Sequence, residues 1–167
     1  MFGSKKKSEP LQPFSLRVLT AQHVIEGTVA GDTRLGFGDL SPSKSDFVEL
    51  SSVTITSIDP RQTVPTGCSR FVANTNIAAI LVPDADPTRL ANWIAHEYLT
   101  KPYRGTFYVG PYVVHGTLMG PPEDRPYNTW VGVDLHVSTV LESPDCAQFD
   151  APFALVSRRD LLGWEAE

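Results

Sequence analysis

An internal repeat limits the possible fold of this chain more than any other sequence feature. The run HVIEGTV at residues 23–29 is echoed by YVVHGTL at residues 112–118, with the same Gly-Thr pair and similar apolar positions around it. Two further echoes follow in the same order, at offsets of 83 and 82 residues: 47–50 with 130–133, and 71–82 with 153–164. Three matches in one order indicate a tandem duplication.

Both copies have the pattern of short β-strands. Runs rich in Val, Ile, Thr and Phe alternate with clusters of Gly, Pro, Asn, Asp and Ser, which is typical of strands joined by turns. In the first copy the candidate strands are residues 16–20, 23–29, 47–58, 70–73 and 77–82. One helix is predicted over residues 87–101, because Asp86 can cap its first turn and Pro87 suits its first position.

These patterns predict a mainly β protein built of two tandem five-stranded small barrels joined by one short α-helix. The expected organisation is a flexible basic tail over 1–13, a first barrel over 14–83, a linker with the helix over 84–102, and a second barrel over 103–167. Gly27 and Gly116 lie at equivalent positions inside the second strand of each copy. A sharply coiled strand needs such a position, where no Cβ prevents bending or close packing.

Composition limits the function classes. The chain has 167 residues, 41% of them hydrophobic, which is enough for a packed core, and its net charge is −5. No apolar run approaches the roughly 20 residues of a membrane span, and no signal-peptide core follows the first lysines, so we expect a cytoplasmic protein. Cys68 and Cys146 belong to no CxxC pair and are expected to be free thiols. A sequence pI near 5.3 disfavours nucleic-acid binding driven by charge.

Each copy resembles the Sm-like fold, a strongly bent five-stranded barrel preceded by a helix. The first Sm-like motif resembles residues 16–20, Gly27 and the stretch 50–53, and the second resembles the apolar strand, polar turn and apolar strand of residues 72–80. The resemblance covers most of the chain after residue 14. It implies assembly, because Sm-like proteins pair the fourth strand of one unit with the fifth strand of the next.

The resemblance also implies an RNA-binding alternative, from which this sequence departs. Sm-like proteins that bind RNA use an asparagine before strand three and an arginine-glycine in the last hairpin turn. Aromatic residues stand near the first position, and only the second copy carries arginines in its turn. Neighbouring carboxylates add negative charge, which disfavours RNA. The candidate RNA or ligand contacts are Phe47, Asn74, Asn76, Trp130, Arg158 and Arg159.

A small enzyme that uses a histidine with a thiol or hydroxyl is the third alternative. The sequence has no nucleophile elbow and no cysteine-protease signature, and small filled barrels leave little room for a substrate. None of the four histidines lies in an HxH, HExxH or CxxC context, although a barrel could bring His115 and His136 together on neighbouring strands. We therefore expect no metal, no cofactor and no catalytic residue.

The function predicted from these patterns is a non-enzymatic binding or assembly module that acts through barrel surfaces and strand edges. Its partner would be a second copy or another protein. The run 77–82 is apolar and carries no charge or proline that would prevent edge pairing. We expect it to be buried, against the second copy or against another chain, with Ile77, Ala79 and Leu81 as the candidate assembly edge.

Overall fold

The protein is described from a computed structural model, which covers residues 14–29, 47–59, 61, 70–73, 77–84, 101–120, 129–140 and 148–167. These residues are nearly all β. A single short 3-10 turn, Arg158–Asp160, joins the last two described strands. The strands are β1 (Phe14–Thr20), β2 (His23–Val29), β3 (Phe47–Ser57), β4 (Arg70–Ala73), β5 (Ile77–Val82), β6 (Lys101–Val109), β7 (Tyr112–Gly120), β8 (Thr129–Thr139), β9 (Phe149–Ser157) and β10 (Leu161–Ala166).

All ten strands follow one another in a single antiparallel pairing order, β10-β6-β7-β8-β9-β5-β1-β2-β3-β4. Within this order the two halves of the chain have the same internal arrangement. The fifth strand of each half pairs with its first, and the second, third and fourth strands follow. The halves meet where β5, the fifth strand of the first half, pairs with β9, the fourth strand of the second.

The prediction of two separate barrels joined by an α-helix is wrong. The strands form one open sheet that ends at β10 and β4, because hydrogen bonding continues from one half into the other through β5 and β9. Lys101 was predicted to end the helix but begins β6. The rest of the predicted helix and the tail over 1–13 lie outside the described residues.

The sheet bends at the same place in both halves. Gly27 on β2 lies opposite two residues of β3, Ser52 and Val53, and Gly116 on β7 lies opposite two residues of β8. This is the pattern of a β-bulge, which increases the local twist of a strand. Beyond the bend in β3, residues 47–50 leave β2 and pair with β4 instead.

The apolar core continues from one half of the chain into the other. One buried cluster contains Leu19, Val24 and Ile58 of the first half together with Phe107, Val114 and Leu135 of the second. The other cluster consists mainly of residues from the first half and also contains Phe153 and Leu155 of the second half. All six residues of β5 are buried, and they are divided between the two clusters. β5 therefore lies at the centre of the described sheet, beside β9.

Candidate strand edges and the exposed polar row

The residues predicted to form an assembly edge lie inside the sheet. Ala79 is opposite Val156 and Leu81 is opposite Ala154 in the ladder between β5 and β9, while β1 pairs with the other side of β5. Ile77, Ala79 and Leu81 are each at most 2% exposed. The edge of β5 is therefore occupied within the chain, by the fourth strand of the second half.

The terminal strands of the sheet are β10 and β4. Among the described residues β10 pairs only with β6, and β4 pairs only with β3. β10 carries two large apolar side chains that remain in contact with water, Leu162 at 74% exposed and Trp164 at 44%. Edge strands of monomeric proteins usually carry charged side chains or proline that prevent pairing with another chain. β10 carries one such charge, Glu165, but its exposed Leu and Trp side chains are suited to contact another protein.

Trp164 belongs to an aromatic cluster that supports the β10 edge. Its ring stacks on buried Phe107 at a centroid distance of 6.0 Å, and it meets the ring of Tyr103 edge-on at 5.2 Å. Tyr103 in turn stacks on Trp130, also at 5.2 Å. Aromatic pairs of this kind each contribute about 0.5–1.5 kcal/mol beyond the burial of their area. They hold Trp164 in a fixed position on the edge strand.

The candidate RNA contacts that the structure describes lie in different surroundings. The indole of Trp130 stacks on Tyr103, and its Nε1 is buried without a hydrogen-bond partner. Arg158 and Arg159 are exposed in the turn between β9 and β10, where Arg159 donates a hydrogen bond to Asp160 at 3.0 Å. The backbone of Phe47 begins β3. Asn74 and Asn76 lie outside the described residues, and RNA contact by this set stays a prediction.

A row of polar residues crosses the second half of the sheet on one face. The ladder registers place Glu165, Thr106, His115, His136 and Asp150 opposite one another on five successive strands. Thr106 Oγ1 lies 2.9 Å from His115 Nδ1, and Asp150 Oδ1 lies 2.6 Å from His136 Nδ1. The sequence indicated that His115 and His136 could meet on neighbouring strands. It gave no sign of the hydrogen-bonded partners Thr106 and Asp150.

Two further exposed pairs carry shifted pKa values. The negative charge of Glu165, which accepts a hydrogen bond from the Tyr108 hydroxyl at 3.2 Å, raises the pKa of that phenol. Hydrogen bonds from Arg61 lower the pKa of Asp59. The first pair connects β6 with β10 and so contributes to fixing the edge strand, whereas the second lies just beyond β3.

The described residues contain no group of three or more His, Cys, Asp or Glu side chains placed to hold a metal ion. Both cysteines, and with them the predicted pairing of a thiol with a histidine, lie outside this part of the chain. In the same described ranges no helix has the length and apolar character needed to cross a membrane. The features that carry a functional argument are therefore the two strand edges and the polar row.

Comparisons with known proteins add no relative. No protein-family model matches this chain, and searches of curated proteins and of solved structures also found no match. The function is therefore inferred from the residues themselves and from how the sheet arranges them.

Proposed function

We propose that this protein is a non-enzymatic assembly module that joins further copies of itself by strand-edge pairing. The observation that supports this proposal is the junction inside the chain. There, a fifth strand, β5, pairs with a fourth strand, β9, over four residue pairs from Ala79 opposite Val156 to Val82 opposite Phe153. The chain therefore already contains one pairing of a fifth strand with a fourth strand, which is the kind of contact that we propose between chains.

The two terminal strands have the same two ranks as the strands of this junction. β10 is the fifth strand of its half, like β5, and β4 is the fourth strand of its half, like β9. Among the described strands, an edge of the fifth-strand kind and an edge of the fourth-strand kind therefore remain at opposite ends of the sheet. A head-to-tail contact of β10 with β4 of another copy would repeat the internal junction, and such heterologous contacts close into rings or continue as filaments.

The side chains of β10 favour this contact over a solvated edge. Leu162 and Trp164 are exposed apolar residues on the strand that would form the contact, and covering them removes apolar surface from water. The resemblance of each half to Sm-like proteins supports the same geometry, since those proteins pair fourth and fifth strands between units. RNA binding through Trp130, Arg158 and Arg159 remains the alternative, as does a small enzyme.

Native mass spectrometry of the untagged protein tests the proposal. We expect masses that are multiples of the 18.3 kDa chain, without bound oligonucleotide. Leu162→Lys adds a charge to the β10 edge and should shift the population towards monomer at micromolar concentration. Val140→Lys is the matched control, because Val140 is also an exposed apolar residue, at 58%, but follows the interior strand β8.

Three other outcomes would count against the proposal. If the wild-type protein is monomeric at about 100 μM, its β10 and β4 edges do not pair with useful affinity. Equal oligomeric mass for the Leu162→Lys and wild-type proteins would show that β10 is not the contact. Retained oligonucleotide that is lost on Arg158→Ala would favour the RNA-binding alternative instead.

A further inference from the structure

We propose that His115 and His136 form a two-histidine binding site for a borderline divalent transition metal such as Zn²⁺, Ni²⁺ or Cu²⁺. This inference does not depend on strand-edge assembly. His115 on β7 and His136 on β8 are directly opposite each other in the ladder. Directly opposed residues share one face of a sheet, with Cβ atoms about 4.5–5.5 Å apart. Two imidazoles at that spacing can reach a single ion, since zinc–nitrogen bonds are about 2.0–2.1 Å.

Both imidazoles have one nitrogen already engaged, and it is the same nitrogen. Asp150 Oδ1 lies 2.6 Å from His136 Nδ1, and Thr106 Oγ1 lies 2.9 Å from His115 Nδ1. The Asp150 carboxylate, when ionised, only accepts hydrogen bonds, so Nδ1 of neutral His136 carries the hydrogen and Nε2 carries the lone pair. The Thr106 hydroxyl can accept from His115 in the same way. Carboxylate and hydroxyl partners at the second nitrogen are typical of metal-binding histidines, because they fix the tautomer and the ring orientation.

The surroundings favour a cation. The row that contains the two histidines carries a carboxylate at each end, Asp150 on β9 and Glu165 on β10. The His115 side chain is exposed and that of His136 is 41% exposed, so an ion from solution can approach them without any rearrangement of the core. The described residues place no third His, Cys, Asp or Glu ligand beside the two histidines, so water would fill the remaining coordination positions.

The first half of the chain shows that the fold alone does not require this arrangement. By ladder register, Arg17, Glu26 and Thr54 of the first half occupy the positions that Thr106, His115 and His136 occupy in the second. In the first half, Arg17 and Glu26 form an ion pair with each other. The equivalent positions of the second half instead present two imidazoles, which prefer metals such as zinc, nickel and copper to magnesium or calcium.

Isothermal titration of the untagged protein with Zn²⁺, in a buffer that does not coordinate metals, tests the site. We expect one ion per chain, with Mg²⁺ giving no signal. His115→Ala and His136→Ala should each weaken Zn²⁺ binding at least tenfold, and Asp150→Asn should weaken it by about tenfold, as is typical when a partner of a metal-binding histidine is removed. His23→Ala is the control and should bind as the wild type does, because His23 lies outside the row.

A second measurement needs no variant of the site. Ni²⁺ added below stoichiometry should broaden the ring resonances of His115 and His136 in NMR spectra before those of His23 or His96. Broadening that begins elsewhere, or Zn²⁺ affinities that are equal for the wild type and the His115→Ala and His136→Ala variants, would overturn the proposal. So would the absence of any Zn²⁺ binding by the wild-type protein at concentrations below about a millimolar.

Discussion

At the scale of single residues, Gly116 is a position where the backbone leaves no room for a side chain. Its φ is +140°, and a Cβ built on it would lie 2.6 Å from the carbonyl oxygen of Asp134 across the bulge. Asp134 itself also has a positive φ, of 51°. Position 116 therefore favours glycine for two reasons. Its backbone conformation is one that other residues rarely adopt, and the two strands approach each other closely there.

We expect Gly116→Ala to lower the free energy of unfolding by about 3 kcal/mol, since both backbone strain and a steric clash act at one residue. Chemical unfolding followed by circular dichroism measures this change. Gly163→Ala is the control: its Cβ would find its nearest neighbour at 3.9 Å, and its φ lies outside the disfavoured range. Equal stability of the two variants would mean that the bulge relaxes around an added methyl group.

The glycine positions also show what a sequence can reveal at this scale. The repeat placed Gly27 and Gly116 at equivalent sites and predicted that a bend requires them. It did not reveal the partners on the opposite strand, Ser52 and Asp134, whose backbones take up the positive φ. Serine does not favour a positive φ, and although aspartate adopts one more often than most residues do, an aspartate alone does not identify a bulge. Only the pairing of strands, which is a long-range property, brings them opposite a glycine.

At the scale of elements, Tyr112 connects the two halves of the chain by a hydrogen bond. It begins β7 in the second half, is fully buried, and donates a hydrogen bond from its hydroxyl to the carbonyl oxygen of Thr20 at 2.8 Å. The carbonyl oxygen of His23 is also within reach of this hydroxyl, at 3.3 Å. These carbonyls flank the turn between β1 and β2, so one side chain ties that turn to the start of β7.

Tyr112→Phe should lower the free energy of unfolding by about 1–2 kcal/mol, because it removes the hydroxyl that donates to the carbonyl oxygen of Thr20 in a buried hydrogen bond. The change is measured by urea unfolding. Tyr108→Phe is the matched control, since it removes a hydroxyl that bonds to Glu165 in an exposed pair. Its effect should stay within about 0.5 kcal/mol. A Tyr112→Phe protein as stable as the control would show that water replaces the lost donor.

The sequence predicted the strands far better than it predicted how they join. Alternation and turn residues located β2, β4 and β5 at the bounds observed, because these signals act within a few residues. The apolar run of β5 also correctly indicated a strand without solvated faces. The sequence left open whether β9 or another chain covers it, since register between segments more than 70 residues apart depends on both partners.

At the scale of the whole molecule, the two halves should unfold together. One apolar cluster joins Leu19 and Ile58 of the first half to Phe107 and Val137 of the second, and β5 belongs to the interior of both halves. Separation of the halves would expose both faces of the junction between β5 and β9. A sequence duplication alone would favour two independent units, but the shared core favours a single cooperative transition.

Leu16→Ala tests this cooperativity in a protein that also carries Trp93→Phe, so that fluorescence reports only on Trp130 and Trp164 of the second half. Leu16 is a first-half residue, 1% exposed, and packs in the cluster that continues to Val131 and Phe153. Its truncation should lower the free energy of unfolding by about 2–5 kcal/mol. We expect the urea midpoint from tryptophan fluorescence to fall as far as the midpoint from circular dichroism. If the fluorescence midpoint stays in place while part of the circular dichroism signal is lost earlier, the second half folds without the first, and the junction between β5 and β9 is a contact between two independent units.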